Sequence, residues 1–209
     1  IIYINGMLTT KHKAIRDAQY ISAIFGKDVL GFYNPTRGFI VDIFESLFGR
    51  TFYMRTSISR DAFRIVEEAI NLQDEGERLL LIGHSQGGII ISSVVLMMVR
   101  KYGRKEAIER LRNVDIITFG SGDNGRIYKS LGITHDKLQN KLNICQIRNK
   151  YDFVANLSVI RMVNSESQFV INARGHDLVP HYLGNVIISA SQGNLPRLLS
   201  KYIKFRSKK

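Results

Sequence analysis

The sequence predicts an α/β fold, a mainly parallel sheet with helices on both faces. Short apolar runs alternate along the chain with longer segments whose apolar residues recur at helical spacing. The connections between these runs are too long for hairpins, and strands linked through helices pair in parallel with right-handed crossovers. A chain of 209 residues can bury a sizeable core, so we expect a single domain over residues 1–209.

The first part of the chain supplies two strands and two helices before the central motif. Their expected positions are a strand at Ile1–Ile4 closed by Asn5-Gly6, a helix at Lys11–Phe25 closed by Gly26, a strand that leads into a turn over Val29–Pro35, and a helix at Ser59–Leu72 with Ser59 as N-cap.

The segment from Gly38 to Phe52 is amphipathic and strongly apolar, with few polar residues to shield it. One interpretation is a helix that packs into the core. The other is a lid or pocket segment, over residues 38–55, that covers the carboxyl edge of the sheet, since exposed apolar patches mark ligand or membrane sites.

The central motif joins a buried strand to a helix. The apolar run Leu79–Ile82 ends in Gly83-His84-Ser85-Gln86-Gly87-Gly88, and the apolar segment Ile89–Val99 follows. A G-x-S-x-G sequence in this context places its serine on a sharp turn at the carboxyl end of the strand. Free N–H groups and positive partial charge at the helix start face any anion formed there. Ser85 is therefore the candidate nucleophile.

The second part of the chain continues the alternation of strands and helices. In order we expect a solvated charged segment at Arg100–Arg112, a strand at Val114–Phe119, a polar excursion at Arg126–Lys141, a strand at Leu142–Ile147, a weak strand or loop at Arg161–Ala173, and a terminal helix from His181 that ends in the basic tail Lys201–Lys209.

A serine nucleophile needs a general base, and the sequence contains five histidines. In folds that carry this strand–serine–helix motif, the base follows the serine in the chain. His135 does so but falls in the polar excursion. We favour His176, because it follows Gly175 in a loop that can reach the sheet edge. His181 stays the alternative, although it follows a proline at the start of a predicted helix.

The acid that orients this base must lie at the same edge of the sheet as Ser85. Asp115 begins its strand and therefore falls at the opposite edge. Asp123 and Asp152 both follow the carboxyl ends of strands. We favour Asp152, which belongs to the last strand before the histidine loop, and keep Asp123 as the alternative.

Together, the serine motif, the stretch Asn149–Val154 and Gly175-His176 resemble the α/β-hydrolase superfamily, and within it the lipase/esterase-like serine hydrolases. The resemblance implies a Ser-His-Asp triad of Ser85, His176 and Asp152. It also implies an oxyanion hole formed by the backbone N–H groups of Gln86 and Met7. The expected activity is hydrolysis of carboxylic esters through an acyl-enzyme, with no cofactor or metal.

The net charge of +12 and the apolar segment 38–55 favour a lipid or acylglycerol substrate at an anionic membrane surface that the basic C-terminal tail contacts. Nucleic acid is not expected, because the chain shows no RNA-binding signature, zinc-finger spacing or arginine-rich arm. The alternatives are a thioesterase and a catalytically silent module that binds membrane or protein. The lone Cys145 excludes an internal disulfide, which leaves the compartment open between cytoplasmic and exported.

Overall fold

The computed structural model describes residues 1–6, 9–35, 57–121, 127, 131–132, 142–157 and 168–203. Its centre is a six-stranded sheet in the order β2-β1-β3-β4-β5-β6, in which every pair of neighbouring strands is parallel. The predicted α/β fold class is therefore confirmed. The strands are β1 (Ile2–Ile4), β2 (Leu30–Phe32), β3 (Leu79–His84), β4 (Val114–Phe119), β5 (Asn143–Tyr151) and β6 (Gln168–Arg174).

In the described parts of the chain, helices lie between neighbouring strands in the sequence and follow the last strand. They are α1 (Lys11–Phe25), α2 (Ser57–Asn71), α3 (Gln86–Arg110), α4 (Phe153–Leu157), a π-helical turn at Leu178–Leu183, α5 (Gly184–Ser191) and α6 (Arg197–Ser200).

Two apolar layers cover the two faces of the sheet. Because successive side chains of a strand point to opposite faces, Leu81 packs with α2 and α3, whereas Leu80 and Ile82 pack with α1 and the C-terminal helices. All three side chains are almost fully buried. Because the strands are buried on both faces, their sequences are nearly continuous apolar runs.

Several element boundaries differ from the sequence-based predictions. The helix α3 continues through the segment predicted to be solvated, with a break at Gly103 (φ 77°), because Ala107 and Leu111 reach the core. The predicted cap Ser59 lies inside α2 and is buried, since the helix begins at Ser57. The single terminal helix predicted from His181 is instead the π-helical turn followed by α5 and α6.

Several predictions fall outside the described residues. These are the apolar segment 38–55, Met7, Asp123, His135 and residues 204–209 of the basic tail. Within the described ranges, none of the helices combines the length and the apolar character needed to cross a membrane.

The parallel arrangement gathers the carboxyl ends of all six strands at one edge. From β1 the chain runs outward through α1 to β2 and returns past β1 to β3, so the strand order reverses between β1 and β3. Ligands of open α/β sheets bind outside the carboxyl ends of the strands at such a reversal. Asp115 lies at the opposite edge, where Arg78 and Asn143 bond its carboxylate, as its position at the start of β4 predicts.

Candidate active site

The turn after β3 holds Ser85 in a backbone conformation that side chains rarely adopt. Its φ is 52° and its ψ is −118°. Among the described residues it is the only non-glycine residue with a positive φ. Such a conformation costs roughly 1–3 kcal/mol and persists only where the surroundings enforce it. The N–H of Ser85 donates to the carbonyl of Phe119 at 2.9 Å, and its carbonyl accepts from Gly88 at 3.1 Å.

Close contacts between backbone segments explain the glycines around this serine. A Cβ added to Gly83 would lie 2.7 Å from the nitrogen of Gly88, and one added to Gly87 would lie 2.1 Å from the carbonyl oxygen of Ile4. Both distances are far below van der Waals contact. Only glycine therefore allows β1, β3 and the start of α3 to approach this closely.

The first turn of α3 lies directly behind Ser85. Gln86 is the first residue of this helix, and the first N–H groups of an α-helix have no acceptor within the helix. Together with the helix dipole they favour negative charge beside the turn. The backbone N–H of Gln86 therefore lies at the start of this helix, directly after Ser85.

A buried amide network fixes the loop after β1 against this turn. The side chain of Asn34 donates to the amide oxygen of Gln86 at 2.7 Å. The backbone N–H of Asn34 donates to the side chain of Asn5 at 2.8 Å, and Asn5 in turn donates to the carbonyl of Gly6 at 2.7 Å. All three amide side chains are buried. The network ties the ends of β1 and β2 to the residue that follows Ser85.

The structure brings His176 and Asp152 together at the same edge. Nδ1 of His176 lies 2.7 Å from Oδ2 of Asp152. The hydroxyl of Tyr182 also donates to Oδ2, and the N–H of Ala155 donates to Oδ1 at 3.1 Å. The carboxylate is fully buried, whereas 29% of the His176 side chain is exposed. One side of the imidazole is thus held by a buried acid while the ring still reaches the surface.

Hydrogen bonding keeps this carboxyl ionised in spite of its burial. Burial by itself raises the pKa of Asp152, but the hydrogen bonds from His176 and Tyr182 outweigh it and hold the pKa below its usual range. Burial and the neighbouring carboxylate raise the pKa of Tyr182 well above the ordinary value of a tyrosine. Tyr182 therefore remains a protonated donor to Asp152.

The alternative base His181 has a different position. Its Nδ1 accepts a hydrogen bond from the N–H of Asp177 at 3.1 Å, and its carbonyl accepts from Asn149 at 3.2 Å. Asn149 also donates to the carbonyl of Gly175 at 2.9 Å. His181 thus helps to shape the loop that carries His176, and His176 is the histidine that bonds Asp152.

Sequence reasoning missed several residues of this site. The sequence places Tyr182 only in a predicted helix, and Asn34 only where a predicted strand leads into a turn. The sequence-based prediction gives His84 no role, although its place at the end of a buried apolar strand signals a buried side chain. Among the residues that the structure describes, no group of three or more His, Cys, Asp or Glu side chains could hold a metal ion.

A parallel sheet whose central strand ends in a strained serine turn at the start of a helix defines the α/β-hydrolase class of serine hydrolases. A family model described as "Putative serine esterase (DUF676)" matches residues 1–150. The chain belongs to this family of serine esterases, which confirms the resemblance seen in the sequence. No curated protein matches the chain. The family match contains Ser85 and ends before Asp152 and His176, so the case for these two residues rests on geometry.

Enlarging Gly6 tests the close packing beside Ser85. A Cβ at Gly6 would lie 2.9 Å from the Cβ of Ser85 and 3.1 Å from Nδ1 of His84. We expect Gly6→Ala to displace Ser85 and lower kcat for an activated ester by about 10²-fold, the loss typical of a shift near 1 Å.

The matched control is Gly31→Ala in β2, where the added Cβ would meet only the Cβ of Ala18 at 3.8 Å. Steady-state kinetics and thermal unfolding of both variants provide the comparison. Unchanged turnover in a folded Gly6→Ala protein would show that this contact does not hold Ser85 in place.

Proposed function

We propose that the protein hydrolyses carboxylic esters through an acyl-enzyme on Ser85, with His176 as general base and Asp152 as its orienting acid. The observation that carries this proposal is the 2.7 Å contact between His176 and the buried Asp152. This pair lies at the sheet edge that also carries the strained Ser85. Membership in a family of serine esterases supports the same reaction.

The hydrogen bond to Asp152 sets the tautomer of His176. A carboxylate can only accept, so Nδ1 of the imidazole carries the hydrogen and Nε2 of the neutral ring is free to accept a proton. In the proposed reaction Nε2 takes the proton of Ser85 as Oγ attacks the ester carbonyl. The resulting imidazolium then protonates the leaving alcohol. Water repeats the cycle on the acyl-enzyme and releases the carboxylic acid and free Ser85.

The tetrahedral intermediate places negative charge on the former carbonyl oxygen. The position of the Gln86 backbone N–H at the start of α3 supports its role as one donor to this oxygen. Met7 is proposed as the second donor from the loop that begins with Asn5-Gly6. A donor of this kind contributes about 3 kcal/mol to the stability of the transition state. The Asn34–Gln86 hydrogen bond would keep the first donor in place.

A lipid or acylglycerol ester is the proposed substrate class. The apolar sequence of segment 38–55 and the net charge of +12 favour an apolar acyl chain and an anionic interface. Two aromatic side chains beside Asp152 are exposed, Tyr151 at 51% and Phe153 at 72%. A tyrosine ring, with an apolar body and a polar hydroxyl, is typical of membrane-interface contacts, and the exposed phenylalanine adds apolar surface beside it.

Removing the nucleophile tests the reaction itself. We expect Ser85→Ala to lower kcat by about 10⁴-fold or more, and Asp152→Asn by about 10⁴-fold through the wrong imidazole tautomer. Ser93→Ala is the matched control, because Ser93 lies on α3 and, among the described residues, its hydroxyl bonds the carbonyl of Ile89 in the preceding turn at 3.1 Å. Hydrolysis of an activated ester, followed by absorbance, gives the rates. Full activity in Ser85→Ala would end the proposal.

A panel of acyl chains tests the substrate class. With 4-nitrophenyl esters of increasing chain length, and with acylglycerols in anionic vesicles, we expect kcat/KM to rise with chain length. The physical reason is that each buried methylene contributes about 0.8 kcal/mol to binding. A steep fall with chain length would contradict the lipid assignment, and preference for thioesters of equal length would indicate a thioesterase. Vesicle binding without turnover of any ester would indicate a silent module.

A further inference from the structure

The ring of His84 lies buried between the serine turn and the loop that carries His176. Only 5% of its surface is exposed. Its ring centroid lies 5.0 Å from that of His176 and 6.2 Å from that of Tyr182. His84 is also the residue directly before Ser85 in the chain. The side chain of His84 therefore lies next to the proposed base, His176, while its backbone is bonded to that of Ser85.

A hydrogen bond joins His84 to the main chain of His176. Nε2 of His84 lies 2.6 Å from the carbonyl oxygen of His176. A carbonyl oxygen can only accept, so Nε2 must carry the hydrogen. Burial, with a smaller effect of the nearby His176, lowers the pKa of His84 to about 3. The ring is therefore neutral at physiological pH, with one hydrogen, which it uses for this contact.

The other ring nitrogen of His84, Nδ1, is buried and has no hydrogen-bond partner among the described residues. It faces the backbone of Gly6, since a Cβ added there would lie 3.1 Å from it. A buried polar atom without a partner costs free energy. An apolar side chain at this position would avoid this cost but would have no donor for the carbonyl of His176.

The contact also connects parts of the sheet that are otherwise distant. His84 ends β3 and His176 follows β6, and β4 and β5 lie between these strands. The loop has other polar contacts as well: Asn149 bonds the carbonyl of Gly175, and Lys13 of α1 pairs with the Asp177 carboxylate at 3.4 Å. The bond from His84 links the loop directly to the serine turn.

We propose that His84 is a positioning residue that fixes His176 relative to Ser85 through its hydrogen bond to the His176 carbonyl. This inference rests on the proposed function and deepens it. The expected consequence is that loss of the donor lowers kcat, because the base no longer meets the serine in the productive geometry. Substrate binding is unaffected, because His84 is buried behind the site.

A pair of side chains of similar length tests the donor. Glutamine places an amide Nε2–H about as far from Cβ as the imidazole does, whereas methionine fills similar space without a donor. We expect His84→Gln to keep kcat within about threefold of the wild type, and His84→Met to lose about tenfold or more at unchanged KM. Thermal unfolding of both variants separates this effect from stability, and His84→Leu replaces a Met variant that does not fold.

A double-variant cycle shows whether His84 acts through His176. In a His176→Ala background, His84→Met should cause no further loss in the rate at which a fluorophosphonate inactivates Ser85. An equal loss in both backgrounds, or equal kcat of the Gln and Met variants, would overturn the proposal. If the wild-type enzyme is active and the His84 variants have the same kcat as the wild type, only this inference is refuted. Wild-type protein that turns over no ester refutes the proposed function instead.

Discussion

The close approach of three backbone segments at the carboxyl edge of the sheet is the constraint on which this site depends. The glycines at positions 6, 83 and 87 let β1, β3 and the start of α3 come nearer than any side chain would permit. This packing holds Ser85 at φ 52° and aligns it with the start of α3. The strain is small beside the apolar burial around β3, so the core can sustain it.

The pair of Asp152 and His176 at this edge follows from the cost of burying a carboxylate. Asp152 is ionised in a buried position because His176, Tyr182 and the N–H of Ala155 satisfy its oxygens. The same bonds fix one side of the His176 imidazole. Side-chain bonds from Asn149 and His84 then hold the main chain of that loop. The sheet thus supports the loop that carries His176, and polar contacts set the position of that loop.

Local sequence patterns were sufficient for the parallel sheet and for the serine turn, because an apolar run, two glycines and an apolar helix are contiguous in the chain. The contact of Tyr182 with Asp152 joins residues 30 apart, and that of His84 with His176 joins residues 92 apart. Neither pair leaves a local signal. The ends of α3 and the divided C-terminal helices also depended on tertiary burial, which overrides local charge and propensity.

The central claim is that Ser85 is a nucleophile activated by His176. Its most direct test is the intact mass of the folded protein after treatment with a fluorophosphonate, with peptide mapping of the product and His176→Ala as the control. The account predicts one adduct, on Ser85, that forms much more slowly in the control. The absence of an adduct on Ser85, or equal rates of labelling in the two proteins, would contradict it.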